Sequence, residues 1–512
     1  MSAAADSRWL PPVVRAALAP VAGALFGASF PKPGWSWCAV VGLGLTLALI
    51  VTARPRRAFA EAFVAGFVFF SLLVRWFAAV LLVYSNLGPV IAAAAVLASG
   101  AVFATMFAVI AAALARLAER CGVLAGLAAS AVAWVGLEVF RAHYPFPFPW
   151  GILAAAFSEQ AWANAAVAWV GTAGLSLLLA AASAAFAALL VGRWRTGLLA
   201  GAACVALAAG AAAGGHASLS AAEPGRTVRI AVLQASLDRE AHPLDELATY
   251  EKLTRDAAER GARVVVWPES AASFRIDIDT RYRRELAGLA QRLGIELVLS
   301  SITAAESGGI ENSAVLVRGD GEVVKSPKRQ LVPFGEYLPL RFLLGSIPAL
   351  AAEAGDFRPG ERGVLFPAAP ARLGPLVCFE VVFPSLACEL ASDGAEVLVN
   401  MTNDSWFGYS AGPYQHLAHA RLRAAETGRP LVRAANTGIS TLIARDGRAL
   451  GALELMERGF LVANVQTGKT PMPGCPVGRA TGIACVTLLG LLLVTAPFLR
   501  KARGRAAGDE GG

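Results

Sequence analysis

Long apolar runs, each close to the ~20 residues a helix needs to cross the hydrocarbon of a bilayer, fill the first part of the chain and recur once near its end. They predict spans at about 11–30, 36–53, 62–84, 88–115, 122–140, 163–192, 197–214 and 480–499. From Thr227 the pattern changes to short β-branched runs alternating with amphipathic stretches of helical period. Strands are expected at 228–234, 262–269, 295–301, 312–317, 374–380, 395–400, 430–435, 440–445 and 460–465. Helices are expected at 245–260, 280–293, 384–393 and 413–427. Continuous apolar strands between helices imply an α/β layered domain, with sheet buried under helices. Asp320-Gly321 and Asp446-Gly447 have hairpin-turn chemistry, so the sheet should be mixed.

The pattern divides the chain into a transmembrane domain of seven spans (1–215), a polar domain (224–470), a closing span (479–500) and a basic tail (501–512). Cytoplasmic loops of membrane proteins keep an excess of Lys and Arg. With the N-terminus inside, those loops carry Arg8, Arg15, Arg54, Arg56, Arg57, Arg116, Arg120, Arg193 and Arg195, and the tail adds Arg500, Lys501, Arg503 and Arg505. The opposite loops hold only Lys32 and Arg141 before the polar domain, which is thereby placed outside the cytoplasmic membrane. Only six of the 37 acidic residues precede residue 224. A hydrophobic content of 56% and a mean hydropathy of +0.56 exclude an ordinary soluble protein. The net charge of +8 follows from topology, and no basic groove interleaved with aromatics points to nucleic acid. The first apolar stretch lacks a small-residue cleavage site and is followed by further spans, so it does not read as a signal peptide. The tail from Arg503 reads as disordered.

Three segments carry candidate chemistry. V-W-P-E-S places Glu269 after a buried strand, K-R-Q-L-V-P-F-G-E-Y brings Lys328 and Glu336, and G-P-L-V-C-F-E puts Cys378 two residues before Glu380. Covalent acyl transfer needs a thiolate, a proton carrier and donors for the oxyanion. His143, His216 and His242 lie in loops or linkers, whereas His416 and His419 share a helix face and read as hydrogen-bonding residues. A carboxylate base, Glu269, is the better candidate, with Lys328 as the cation. No C-x-x-C spacing supports zinc or redox chemistry, and no metal or organic cofactor is called for. Cys38, Cys121, Cys204 and Cys485 fall in or beside spans. Cys388, in the helical surroundings L-A-C-E-L, reads as a buried structural thiol; a Cys378–Cys388 disulfide is the alternative in an oxidising compartment, though it would consume the nucleophile. Arg75, within a predicted span, is costly in hydrocarbon and a functional candidate by default, by snorkelling, pairing with Glu138 or binding a lipid headgroup.

Together W-P-E, K-x-x-L-V-P-F-G-E-Y, V-C-F-E and N-x-T-N-D-S-W-F-G resemble the nitrilase superfamily, whose triad is Glu–Lys–Cys. With the flanking spans the chain resembles the apolipoprotein N-acyltransferase family. F-P-W (148–150), the run from Gly412 to Pro430 and N-T-G-I-S (436–440) add to the match. The resemblance implies an αββα sandwich with Glu269 as general base, Lys328 stabilising the oxyanion and Cys378 as nucleophile. It further implies supporting roles for Glu336 and Glu380 and a backbone N–H of Phe379 facing the oxyanion. Two departures stand out: Phe379 replaces a frequent Tyr, and the A-S-L-D-R-E-A-H-P loop after Gln234 lacks a frequent Trp.

The implied reaction moves an acyl chain from a phospholipid to Cys378, then to the amine of an S-diacylglyceryl-cysteine apolipoprotein. A monomer in the bacterial inner membrane is expected. The alternative is a membrane-tethered nitrilase-type amidase that passes its acyl-enzyme to water. The apolar run 341–350 would exclude water and favour the amine.

Overall fold

The computed structural model describes residues 10–84, 88–144, 146–223, 225–237, 242–271, 274–339, 341, 355–368 and 371–499. Arg8, the basic tail, most of the 341–350 run and part of the loop after Gln234 lie outside the described residues.

The apolar half forms helices α1 (Pro12–Ala28), α2 (Cys38–Val51), α3 (Pro55–Leu73), α4 (Phe77–Tyr84), α5 (Pro89–Cys121), α6 (Val123–Arg141), α7 (Ala161–Leu190) and α8 (Trp194–Ser220). Of these α5, α6, α7 and α8 are each long and apolar enough to cross a membrane, as is the closing helix near the C-terminus. The predicted span 62–84 is instead a broken one: α3 and α4 bend by 48° at residues 74–76. α1 and α2 are shorter apolar helices. Gly171, with φ +71°, kinks α7. A Cβ there would come within 2.3 Å of the Gly474 carbonyl oxygen, so glycine is required by both conformation and space.

In the polar domain, strands β1 (Thr227–Gln234), β2 (Val264–Val266), β3 (Glu296–Ala304), β4 (Ile310–Val317) and β5 (Val323–Pro327) join β11 (Gly459–Gln466) in one sheet, ordered β11-β1-β2-β3-β4-β5. Strands β6 (Leu373–Val377), β7 (Val397–Thr402), β8 (Leu431–Ala435), β9 (Thr441–Ile443) and β10 (Ala449–Ala452) form the second, ordered β10-β9-β8-β7-β6. Both are mixed: β1, β2 and β3 run parallel, as do β6, β7 and β8, and the remaining pairs are antiparallel. The Asp-Gly turns do join hairpins, β4–β5 and β9–β10, with Gly321 and Gly447 at φ +89° and +81°.

Alternation along the strands sets the layers. Val228, Ile230, Val232, Val264 and Val266 meet Val397, Val399, Met401 and Val432 between the sheets. Ala231, Leu233, Val265 and Leu297 face the other way, under α9 (Pro243–Glu259) and α10 (Thr280–Leu293). The Asp279 carboxylate caps α10 by accepting from the Arg281 and Tyr282 N–H groups, and Gly294 ends it in the left-handed region. Leu376, Leu398 and Leu431 pack under α11 (Pro384–Ser392) and α12 (Gly412–Thr427) in a cluster that continues into α1–α7. The layer order is therefore helices, sheet, sheet, helices, with the last layer seated on the apolar bundle. Closing helix α13 (Gly474–Thr495) returns to that bundle beside α6 and α7.

Two side-chain expectations are corrected here. Cys388 on α11 is not a free thiol: it is disulfide-bonded to Cys475 in the first turn of α13, because α11 packs against the start of the closing helix. Arg75 does not pair with Glu138. It sits exposed at the α3–α4 break and donates to the Lys32 carbonyl at 2.7 Å. Glu138 instead accepts from Trp134 Nε1 (2.7 Å) and the Leu153 N–H (2.6 Å).

Candidate active site

Each candidate group follows the end of a strand. β2 stops at Val266 and Trp267-Pro268-Glu269 leads out of it; Lys328 follows β5, Cys378 follows β6 and Asn403 follows β7. For β2, β6 and β7 these are carboxyl ends of parallel strands, where α/β sheets open their clefts. The W-P-E segment is anchored by Trp267, which stacks on Tyr250 at 5.0 Å and donates to Thr254 Oγ1.

The expected strand over 374–380 ends early. Cys378 leaves β6 with φ +52° and opens a 3-10 turn, Cys378–Val382. A non-glycine residue in the left-handed region is strained by roughly 1–3 kcal/mol and persists only where its surroundings over-determine it. Three groups do so. Glu380 Oε2 accepts the Val377 N–H at 2.7 Å, Asn400 Nδ2 donates to the carbonyls of Leu376 (3.1 Å) and Cys378 (3.3 Å), and His416 Nε2 lies 3.2 Å from the Cys378 carbonyl. Ser270 and Phe334, in the loops carrying Glu269 and Glu336, also have positive φ, at +55° and +65°.

The structure brings Glu269, Lys328, Glu336 and Cys378 together. Lys328 is 1% exposed, and its Nζ lies 2.8 Å from Glu336 Oε1 and 3.4 Å from Glu269 Oε1. Asn312, on β4, donates to the same two oxygens, at 2.8 Å to Glu269 Oε1 and 3.3 Å to Glu336 Oε1. Its carbonyl accepts the Lys328 N–H at 2.7 Å, which continues the β4–β5 ladder one residue and aims Lys328 inward. Glu269 Oε2 accepts the Asn403 N–H at 3.0 Å, and Glu336 Oε2 accepts the Val332 N–H at 2.8 Å. Burial works against charge on Lys328, but Glu269, Glu336 and Cys378 outweigh it and raise its pKa above the ordinary lysine value. Burial and the Glu269 charge push the Cys378 thiol well up; Lys328 and Thr402, whose Oγ1 lies 3.3 Å from Sγ, act in the other direction.

Glu380 and Phe379 do not join this cluster through their side chains. Glu380, buried and pushed up in pKa by burial, accepts from the N–H groups of Arg329 (2.8 Å) and Gln330 (3.4 Å) as well as Val377. It ties the loop after Lys328 to the cysteine turn. The Phe379 ring faces the membrane helices, with centroids 6.4 Å from Phe148 and 6.5 Å from Trp150.

Sequence reasoning missed the buried layer beneath the cysteine. Asp404 pairs with Arg433 at 2.7 Å, and Arg433 also reaches Asn400. Burial alone would raise the Asp404 pKa; Arg433 and His416 hold it down at about 2. His416 Nε2 faces a carbonyl and so carries the proton there. Burial and Arg433 lower its pKa below 6.5, and its Nδ1 lies 3.0 Å from Asp404 Oδ1 and 3.1 Å from Arg433 Nη2. His416 is thus a hydrogen-bonding core residue, and its neighbour Gln415 accepts from Trp150 Nε1 at 2.6 Å across the junction with the membrane helices. The adjacency of N-D-S-W-F-G to a helix rich in His and Arg was the available signal.

A Glu, a Lys and a Cys converging at the strand ends of an αββα sandwich belong to the nitrilase class. The profile of the carbon-nitrogen hydrolase family matches residues 229–470, and that of the apolipoprotein N-acyltransferase N-terminal domain matches residues 22–185. An apolipoprotein N-acyltransferase of Geobacter metallireducens is 33% identical over 504 residues, covering 94% of this chain and 95% of the relative. One from Allorhizobium ampelinum is 32% identical, covering 89% and 91%. An amidase of the nitrilase superfamily from Nesterenkonia is a solved structure similar to this chain, 25% identical over 48% of this chain and 93% of its own, with a TM-score of 0.37. The chain belongs to the apolipoprotein N-acyltransferase family.

Proposed function

We propose that the chain moves a fatty acyl group from a membrane phospholipid to the free α-amine of an S-diacylglyceryl-cysteine apolipoprotein, through a thioester on Cys378. The observation that carries this reading is the buried Lys328, held between two carboxylates beside the thiol. Because the thiol is held protonated by burial and by Glu269, its proton must leave as the nucleophile attacks. Glu269 takes that proton. Sγ bonds to the ester carbonyl carbon, and the oxyanion is met by Lys328 Nζ and the Phe379 N–H. Collapse expels the glyceryl oxygen, which receives the proton from Glu269, and a lysophospholipid departs. The lipoprotein amine then attacks the thioester and loses a proton to Glu269. The C–S bond breaks, and Cys378 recovers its proton from Glu269. Glu336 and Asn312 keep Lys328 aimed at the reacting carbon.

In this reading eight spans, counting α3 and α4 as one, set the polar domain on the outer face of the bacterial cytoplasmic membrane, and the enzyme works as a monomer. The Lys and Arg asymmetry supports that face, as does the Cys388–Cys475 disulfide, a bond of oxidising compartments. Both substrates are lipids of that leaflet, so a site seated on the bundle raises their effective concentration.

The test is to incubate membranes holding the protein with a chain-labelled phospholipid and trap the acyl-enzyme. The reading expects a hydroxylamine-sensitive label, absent in Cys378→Ala and discharged by a diacylated lipopeptide with a free amine. Discharge at the same rate by water alone would replace the transferase with an amidase-like hydrolase.

A further inference from the structure

Both substrates of the proposed reaction carry two esterified acyl chains on a glyceryl unit, yet only one of them is to be deacylated. The group that distinguishes them is the phosphodiester of the donor. Two cations that could meet such a group stand side by side at the turn between α1 and α2 and the α3–α4 break. Starting from the basic Arg54–Arg57 end, the 19 residues of α3 rise about 28 Å, which brings the α3–α4 break to the opposite membrane boundary. Arg75 lies in that break, exposed, and its guanidinium donates to the carbonyl of Lys32 at 2.7 Å. Lys32, with φ +63° in the turn between α1 and α2, has its ammonium 4.2 Å from the centroid of the Tyr414 ring. Among the described residues no carboxylate lies within ion-pair distance of either cation. Trp35 and Trp37 beside Lys32 are 62% and 63% exposed, as side chains at the headgroup level are.

The pair also adjoins the reacting centre. Trp76, next to Arg75, packs on Phe407 at 4.8 Å and Trp150 at 5.1 Å, and Trp150 in turn contacts Phe379. Tyr414 lies two residues before His416, which reaches the Cys378 carbonyl. The cations are thus linked to the cysteine turn through the rings of Trp76, Trp150 and Phe379 and through Tyr414 on the helix that carries His416.

We propose that Lys32 and Arg75 bind the phosphodiester of the acyl-donor lipid and so select it over phosphate-free glycerides, including the acceptor's own diacylglyceryl group. The inference rests on the phospholipid-donor reading above. It accounts for how one cysteine serves two diacylated lipids in turn: the donor is held by its phosphate, the lysophospholipid carries that phosphate away, and the acceptor enters without one.

The experiment compares acylation of Cys378 in the full-length protein, in mixed micelles, by a chain-labelled phosphatidylglycerol and by a diacylglycerol with the same chains. Wild type should prefer the phospholipid. In Lys32→Gln/Arg75→Gln the KM for phospholipid should rise so that the preference falls about tenfold, the scale of charge-assisted contacts at a partly solvated site. The charge-keeping pair Lys32→Arg/Arg75→Lys should retain it. An unchanged preference in the glutamine variant, at an unchanged melting temperature, overturns the assignment. Millimolar inorganic phosphate should leave the preference intact, and its loss there would make the cations a free-anion site instead. If wild type forms no thioester with phospholipid yet does so with diacylglycerol, the donor reading itself fails.

Discussion

Replacing Lys328 with Met separates what the cation does for the fold from what it does for the chemistry. Lys328 is 1% exposed and pairs with Glu336 at 2.8 Å and Glu269 at 3.4 Å. At an effective dielectric constant of about 20, each attraction is worth roughly 5 kcal/mol before desolvation, which itself costs several kcal/mol per ion. Removing only the cation leaves buried Glu269 and partly buried Glu336 facing each other across Asn312, and one-sided loss of a buried pair typically costs about 3–5 kcal/mol. For a domain of this size, about 1 kcal/mol shifts the melting temperature by roughly 2–4 °C, so Lys328→Met should melt roughly 6–20 °C below wild type. Adding Glu336→Gln removes one of the stranded charges, while Glu269 keeps its Asn312 and Asn403 donors. The double variant should therefore regain at least half of the loss. Neither variant should form the thioester, because Nζ is gone from both. Tryptophan-fluorescence melts in detergent, paired with the trapping assay, read the two effects apart. A Lys328→Met protein that melts with wild type, or a double variant that acylates, would refute the reasoning.

Thr402→Val removes a hydroxyl 3.3 Å from Sγ that favours the thiolate, so iodoacetamide should modify Cys378 about five- to tenfold more slowly. In wild type the same alkylation rate should still be climbing above pH 9, because burial has raised the thiol; a plateau below pH 9 would contradict this. The Asp404 pKa is lowered from 3.8 to about 2, so its contribution of about 2 kcal/mol is full above pH 4 and fades as pH falls through about 2. Asp404→Asn should lose this acid dependence in melts between pH 5 and 2, along with stability at neutral pH. Intact-mass counting after maleimide treatment of the unfolded, unreduced protein should find five free thiols, and seven after reduction. Finding seven before reduction would remove the disulfide.

Local chemistry made much of this molecule legible. β1, β4 and β7 lie close to their β-branched runs, and α9, α10, α11 and α12 fall within a residue or two of the expected helices. Glu269, Lys328 and Cys378 stood out as polar groups set beside apolar runs, in V-W-P-E-S, K-R-Q-L-V-P-F-G-E-Y and G-P-L-V-C-F-E, and the structure brings them together. What escaped depends on non-local packing. Hydropathy alone does not show the bend at residues 74–76, which places Arg75 in a break between two helices instead of inside a continuous one. The Cys388–Cys475 bond joins residues 87 apart, although parity was a clue: setting the nucleophile aside leaves two of the three cysteines predicted outside. The Asp404, His416 and Arg433 layer was hidden because a sequence does not say which way a helix turns its polar face.

The Cys388–Cys475 bond has a mechanical consequence. The polar domain already meets the bundle through the backbone on both sides, from α8 into β1 and from β11 into α13, and the disulfide adds a third covalent strut between α11 and the head of α13. Because Cys475 lies at the head of α13, beside the second backbone link, the bond pins α11 and the helical layer next to the cysteine turn to the closing helix. In the proposed reaction the cysteine would then keep a set depth beside the leaflet, and each lipid would diffuse laterally to it and withdraw by the same plane, like vessels docking at a fixed pier.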